Sequence, residues 1–148
     1  MFNVYVDERV TDKELLDKIR KKFVKKSFNF NDDIEDYFIV SKNILQSDPE
    51  FIEEIKDISE VYQLTITDAN LNCWIEISNG KIDSKVRDVH PNPTLDLLFT
   101  QKVFEDIIFD RINASVAFME GKIQVRGSTS KAMFLRKLIV YVIAKLLE

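Results

Sequence analysis

Glycine and proline are scarce in this sequence, with three of each among 148 residues. So few glycines cannot form the glycine-rich loops that hold phosphates, and the sequence contains neither a GxGxxG nor a Walker motif, nor the GxSxG motif of a nucleophile elbow. The scarcity also leaves no room for a low-complexity linker. Together with the length, it predicts a single domain spanning residues 1–148.

Cysteine and histidine are scarcer still, with only Cys73 and His90. A lone cysteine excludes an internal disulfide and fits a reducing compartment. His90 lies in a proline turn without a second metal ligand or a nucleophile motif nearby. Carboxylate pairs such as Asp32-Asp33 lack the spacing of a calcium loop, so we interpret them as solvated charges. We therefore expect no catalytic residues, no metal site and no cofactor.

Long hydrophobic runs are absent. The longest uncharged apolar run spans residues 138–144, which is seven residues, whereas a membrane span needs about 20. The first ten residues lack the basic start and apolar core of a secretory signal. A net charge of −4 argues against nucleic acid as a partner. We expect a soluble cytoplasmic protein with at most transient membrane contact.

Residues 1–60 read as mainly helical. The alternation in residues 2–6 predicts a short strand, and Thr11 with Glu14 forms a capping box that predicts the start of a basic helix. Further helices are predicted from residue 31 or 32 to Leu45 and from Pro49 onward. Residues 11–26 carry a net charge of +4 and residues 31–60 a net charge of −8. These regions could pack together or stay solvated, and we adopt the solvated interpretation because surface ion pairs contribute little.

The second part of the chain predicts strands and then helices. Alternation marks strands at residues 61–68, 72–78 and 94–99, and Asn79-Gly80 predicts a type I′ hairpin in which Ile77 faces Ile82. Helices are predicted after Thr100 and after Asn113, followed by a strand at residues 122–126 and a long terminal helix. This order predicts an α+β fold in which helices cover a single sheet.

The terminal helix is apolar almost all round. Its polar stripe contains Phe134, Leu138 and Tyr141 at i, i+4, i+7 spacing. Either the chain itself covers both sides of the helix, or one side closes a ligand tunnel or a partner interface. The second interpretation predicts that Leu138→Arg impairs binding or assembly more than folding.

Arg136 falls in the middle of the apolar arc of this helix. A buried guanidinium is costly unless it reaches water or pairs with a carboxylate of the core. Its planar fork could instead bind the carboxylate or phosphate of a ligand. The sequence leaves these alternatives open.

From about residue 61 onward, the chain resembles the sterol-carrier-protein type (SCP-2-like) of lipid-binding domain. The family pattern includes an Ala-Phe pair followed by Gly-Lys-apolar-x-apolar-x-Gly and a terminal helix that contains alanine. Asp110 stands where the family commonly has glycine, and Ala114 where it has proline. The residues that match are Arg111, Asn113, Ala117, Phe118, Gly121, Lys122, Gly127 and Ala132.

The resemblance implies a mixed, mostly antiparallel sheet of about five strands with an apolar tunnel beneath the C-terminal helix. It implies a sterol-carrier-like core at residues 61–148. The resemblance does not explain residues 1–60, which we expect to form an N-terminal helical extension packed on that core. It also implies a domain that binds sterols, fatty acids or fatty acyl-CoA and is not itself a catalyst. The expected tunnel walls, with Arg136 as a possible head-group contact, are Ile75, Ile77, Phe104, Ile107, Ile108, Phe118, Met119, Met133, Phe134 and Leu138.

The predicted function is therefore non-catalytic binding of a lipid or acyl chain for carriage or presentation. The alternative is a homodimeric or accessory protein-interaction module whose core is filled by side chains. Eleven phenylalanines could either line a tunnel or plug it.

Overall fold

The computed structural model describes the backbone of residues 2–148 and the side chains of residues 12–148. Six helices and five strands form an α+β fold with one mixed sheet, which confirms the predicted fold class. The helices are α1 (Phe2–Lys25), α2 (Phe30–Gln46), α3 (Pro49–Ile55), α4 (Gln101–Ile108), α5 (Ala114–Met119) and α6 (Thr129–Leu146). The strands are β1 (Glu60–Ile66), β2 (Leu71–Ser78), β3 (Lys81–Val86), β4 (Leu95–Phe99) and β5 (Gln124–Arg126).

The sheet has the order β3-β2-β1-β4-β5. Three neighbouring pairs are antiparallel, and β4 pairs with β1 in parallel. The segment between β3 and β4 therefore crosses past β2 and β1 and places β4 beside β1. A further antiparallel strand of the hairpin would instead have paired with β3. Because β4 lies beside it, β1 lies at the centre of the sheet, and its residues Tyr62, Leu64 and Ile66 are buried.

The hairpin between β2 and β3 has the predicted register. Ile77 pairs with Ile82, and Cys73 pairs with Val86. Asn79 and Gly80 have φ values of 52° and 76°, as a type I′ turn requires. This two-residue turn fixes which side chains of β2 and β3 share the apolar face.

Side-chain caps define the starts of several helices. The Asn29 side chain accepts a hydrogen bond from the backbone N–H of Asp32 at the start of α2, and Asp48 accepts from Glu50 at the start of α3. The predicted caps Thr100 and Asn113 are both observed, with hydrogen bonds to the first turns of α4 and α5. Such caps satisfy backbone donors that have no partner within the helix.

The secondary structure predicted for the first residues of the chain is wrong. Residues 2–6 were expected to form a strand and Thr11 to begin a helix, but α1 runs continuously from Phe2 to Lys25. Alternation over five residues is too short to distinguish a strand from one and a half helical turns. A capping box marks a helix start only where the preceding backbone is not helical, and here the preceding residues already belong to α1.

The interpretation of the charged regions also needs correction. Asp33 is fully buried, and its carboxylate accepts hydrogen bonds from the Lys22 ammonium at 2.7 and 2.8 Å and from the Asn29 backbone N–H at 2.7 Å. Lys18 lies 2.7 Å from Asp36 and 3.7 Å from Asp33. The basic helix α1 and the acidic start of α2 therefore pack together around a buried carboxylate.

The buried face of α6 overlaps the predicted apolar arc, with Leu135 and Ile143, but it is rotated toward the predicted polar stripe and includes Leu138. Its most buried residues are Leu135, Leu138, Val142, Ile143 and Leu146. The Tyr141 hydroxyl hydrogen-bonds to Asp48 at the start of α3, and its ring packs 5.3 Å from the ring of Phe51. Tyr141, which belongs to the predicted polar stripe, is thus packed against α3. No helix in the described part of the chain is long and apolar enough to cross a membrane.

Candidate functional site

An apolar cavity of about 420 Å³ lies between the sheet and the helices. Its floor is the apolar face of the sheet, including Leu64, Ile75 and Leu97. These residues share one face because side chains alternate along each strand. The volume falls within the range of roughly 300–1,000 Å³ that is typical of small-molecule sites.

Helix α4 provides one side of the cavity. Phe104, Ile107 and Ile108 all line it and are all buried. Their spacing, one turn apart along the helix, places them on one face. The Phe104 ring stands edge-on to that of Phe99, with 5.6 Å between centroids. These rings form part of the wall and leave the cavity unfilled.

The helices α5 and α6 provide the wall where the cavity reaches the surface. Phe118, Met119 and Met133 line the cavity although 41%, 82% and 50% of their surfaces are exposed. The Ser115 hydroxyl lies 4.0 Å from the Met133 sulfur, so the two helices are adjacent at this point. Apolar side chains that line a cavity and also face solvent mark its mouth.

The residues predicted from the sequence are largely brought together. Ile75 and the residues described above on α4, α5 and α6 line the cavity, as do Leu138 and Arg136. Ile77 and Phe134 do not line it; Ile77 is fully buried in the core, and Phe134 packs against the core. Leu138 is only 3% exposed, so an arginine there would place a charge inside the core and a loss of folding would accompany any loss of binding.

Sequence reasoning missed the contribution of α2. Tyr37, Phe38 and Leu45 line the cavity, although they belong to the region interpreted as an extension. The apolar face of α2 could be seen in the sequence, but its position over the sheet could not. Burial raises the pKa of the Tyr37 hydroxyl well above its ordinary value, despite the hydrogen bond with Ser41 that opposes this shift.

The charged residues that line the cavity are Lys42 and Arg136, and within residues 12–148 no carboxylate lines it. The Lys42 ammonium lies 3.2 Å from a carboxylate oxygen of Asp83. Hydroxyl groups, including those of Ser115 and Ser130, supply the remaining polar character. The cavity is therefore apolar with a positive electrostatic bias.

The lone histidine and the lone cysteine lie away from the cavity. His90 contacts Glu76 through Nε2 at 2.7 Å, and its Nδ1 accepts the backbone N–H of Asn92 at 3.0 Å. Burial raises the pKa of the Cys73 thiol to about 12, although the neighbouring Arg87 opposes the shift. Among the side chains that the structure describes, no three potential metal ligands cluster together.

The outer face of the sheet is polar and is partly covered by the segment after β3. Gln63 is 4% exposed, donates to the carbonyl of Cys73 at 3.0 Å and accepts from the backbone N–H of His90 at 2.9 Å. The Trp74 indole N–H donates to Asp88 at 2.8 Å, and its ring lies edge-on to that of His90. These contacts hold the loop against the sheet.

Together, the mixed sheet and the covering helices form an α+β fold that encloses an apolar cavity. A family model described as the SCP-2 sterol transfer family matches residues 41–140. The chain belongs to this family, and membership supports lipid binding or transfer as the general class of function. The match begins within α2, before the residue 61 at which the sequence resemblance begins. No curated protein sequence matches the chain.

Solved structures share the fold. Sterol Carrier Protein 2 Like 2 from Aedes aegypti is 16% identical, and the match covers 74% of this chain and 98% of that one with a TM-score of 0.53. Sterol Carrier Protein 2 from Yarrowia lipolytica, in its apo form, is 23% identical over 72% of this chain and 88% of that one, with a TM-score of 0.51. Such identities show the fold alone.

A larger enzyme also contains this fold. The sec-alkylsulfatase Pisa1 from Pseudomonas sp. is 14% identical over 70% of this chain, with a TM-score of 0.59. The match covers only 16% of the sulfatase. The chain therefore resembles one part of that enzyme.

Proposed function

We propose that this protein binds a hydrophobic ligand, such as a fatty acid, a fatty acyl-CoA or another lipid, in the cavity and carries or presents it without converting it. The observation that carries the proposal is the apolar cavity of about 420 Å³ whose described walls contain no carboxylate. Each methylene group transferred into such a cavity contributes about 0.8 kcal/mol before the costs of ordering are subtracted. Before those costs, about ten enclosed methylenes would match the roughly 8 kcal/mol of micromolar binding.

The arrangement of the mouth supports carriage. Phe118, Met119 and Met133 are exposed at the edge of the cavity, and the flexible methionine side chains can adapt to a passing acyl chain. We further propose that residues 1–60 serve the lipid-binding core at residues 61–148 by supplying the wall that α2 forms. A reducing compartment such as the cytoplasm suits the free, buried thiol of Cys73.

The experiment that tests this function is native mass spectrometry of freshly purified protein, followed by extraction and identification of any bound lipid. We expect a population whose mass exceeds that of the chain by one lipid molecule and that returns to the bare mass after delipidation. Delipidated protein should then take up a fluorescent fatty acid at micromolar concentration. A bare mass together with no uptake would contradict the proposal.

A second candidate function rests on a separate observation. Val140 and Ala144 of α6 and the following C-cap residue Leu147 are exposed at i, i+4, i+7 spacing and form an apolar strip. Val140 and Leu147 are exposed over 53% and 58% of their surfaces. Such a strip suits a second copy of the chain or an accessory partner. The same mass spectra test this candidate, because a dimer mass without bound lipid would favour the interaction module over the carrier.

A further inference from the structure

Arg136 lines the cavity, and no other arginine with a described side chain does so. It lies on α6 and is partly buried. We propose that its guanidinium binds the anionic head group, a carboxylate or a phosphate, of an amphiphilic ligand, and that the site thereby selects anionic amphiphiles over neutral ones. This inference rests on the proposed function and names the chemical class of its ligand.

The other arginines with described side chains are already occupied. Arg20 donates to the carbonyl oxygens of Lys145 and Leu146, both at 3.1 Å. The remaining three form ion pairs with carboxylates: Arg87 with Glu35, Arg111 with Asp106 and Arg126 with Asp96. Within residues 12–148, Arg136 has no such partner.

The surroundings of Arg136 are unusual for a cation that has no ionic partner within residues 12–148. Most of the cavity wall is apolar, and its other cation, Lys42, is neutralised by Asp83. A charge held beside apolar surface loses part of its hydration, and a partner carrying the opposite charge restores the lost interaction. An anionic ligand would supply this partner.

The geometry of α5 and α6 directs the head group toward the mouth. Arg136 is three residues after Met133, so the two residues are neighbours on one face of α6. Met133 is half exposed and touches the Ser115 hydroxyl of α5. An acyl chain would then extend into the apolar part of the cavity lined by α4 and the sheet, while its head group remained near solvent.

The chemistry of the guanidinium suits both kinds of head group. Its planar fork can donate two parallel N–H bonds to a carboxylate or a phosphate. Hydrogen bonds to charged groups contribute enough to change affinity by roughly 10-fold to 100-fold. A neutral alcohol or a sterol hydroxyl cannot gain this contribution in full.

The test compares probes that share one acyl chain and differ only in the head group. Delipidated protein is titrated with palmitate, 1-hexadecanol and hexadecyl phosphate by displacement of a fluorescent fatty acid. We expect at least one of the two anionic probes to bind roughly 10-fold to 100-fold more tightly than the alcohol. The preferred anion then identifies the head group as carboxylate or phosphate.

Two variants assign the preference to Arg136. In Arg136→Gln, the anionic probe should bind no more tightly than the alcohol, while the affinity for the alcohol stays unchanged and thus reports an intact cavity. Arg136→Lys should retain part of the preference. Lys137→Gln is the matched control, because Lys137 is exposed and pairs with Glu54 at 2.9 Å. This variant should prefer the anionic probe over the alcohol as strongly as the wild type does.

The outcomes distinguish a failure of this inference from a failure of the proposed lipid-binding function on which it rests. Equal binding of anionic and neutral probes by the wild type, or an unchanged preference in Arg136→Gln, would overturn the role of Arg136 while leaving lipid binding intact. Failure of all three probes to bind the wild type would overturn the proposed function itself.

Discussion

Replacing Ala132 with tryptophan should abolish lipid uptake while the protein stays folded. Ala132 lies on α6, lines the cavity and is partly buried, so an indole ring at this position would occupy space that a ligand needs. Excluding about four methylene groups removes about 3 kcal/mol of binding free energy, which lowers the affinity more than 100-fold. Displacement titrations with a fluorescent fatty acid measure this loss, and far-UV circular dichroism monitors the fold.

Ala144→Trp provides the matched control for the cavity-filling variant. Ala144 lies on the same helix, is exposed and does not line the cavity. Both substitutions carry the same change in helix propensity, so only the position differs. If Ala132→Trp remained folded and bound the fatty acid as tightly as Ala144→Trp, the ligand would have to bind outside this cavity.

Replacing Asp33 with asparagine should reduce the free energy of unfolding at neutral pH by about 3 kcal/mol. The substitution removes the charge that the Lys22 ammonium contacts at 2.7 Å, inside a site where the Asp33 side chain is fully buried. It also replaces one carboxylate oxygen, which accepts hydrogen bonds, with an amide NH2 group, which is itself a donor and would face the same donors. Urea unfolding followed by circular dichroism measures the change.

Asp32→Asn is the control for this second prediction. Asp32 precedes Asp33 in the first turn of α2, but its side chain is exposed. Its loss removes a favourable interaction with the helix dipole, which is worth less than about 1 kcal/mol at an exposed position. Similar destabilisation in the two variants would show that the buried ion pair does not hold α1 against α2.

The stabilisation by Asp33 should depend on pH. Burial alone would raise the pKa of its carboxyl, but hydrogen bonds from Lys22 and Asn29 and the charges of Lys22 and Lys18 outweigh burial and lower the pKa below 3.8. A carboxyl with a lowered pKa in the folded state stabilises the protein above its unfolded-state pKa and loses this contribution as the pH falls through the folded value. The difference between wild type and Asp33→Asn should therefore shrink below pH 3.8, and a constant difference would contradict this assignment.

The sequence predicted best where short-range rules fix the geometry. The Asn79-Gly80 turn allows only one register, so Ile77 had to face Ile82. The caps at Thr100 and Asn113 follow equally local rules. The alternation of buried residues along β1 and β4 was also visible, because strand period determines which side chains share a face.

The features that the sequence did not predict depend on long-range packing. Nothing local distinguishes the buried Asp33 from the exposed Asp32, because the difference arises only when α1 packs on α2. Similarly, the parallel pairing of β4 with β1 depends on where the loop after β3 leads the chain. The cavity itself is space between elements, and residue periodicity carries no information about how closely elements approach.

The position of Trp74 determines which changes the intrinsic fluorescence of the protein can report. The only tryptophan of the chain alternates with Cys73 and Ile75, so it lies on the face of the sheet opposite the cavity and contacts Asp88 and His90. Its emission senses the loop that covers the outer face and the unfolding of the sheet. We expect a ligand on the other face to leave these contacts unchanged. The intrinsic fluorescence of Trp74 should therefore not change during a ligand titration, even at saturation of the cavity.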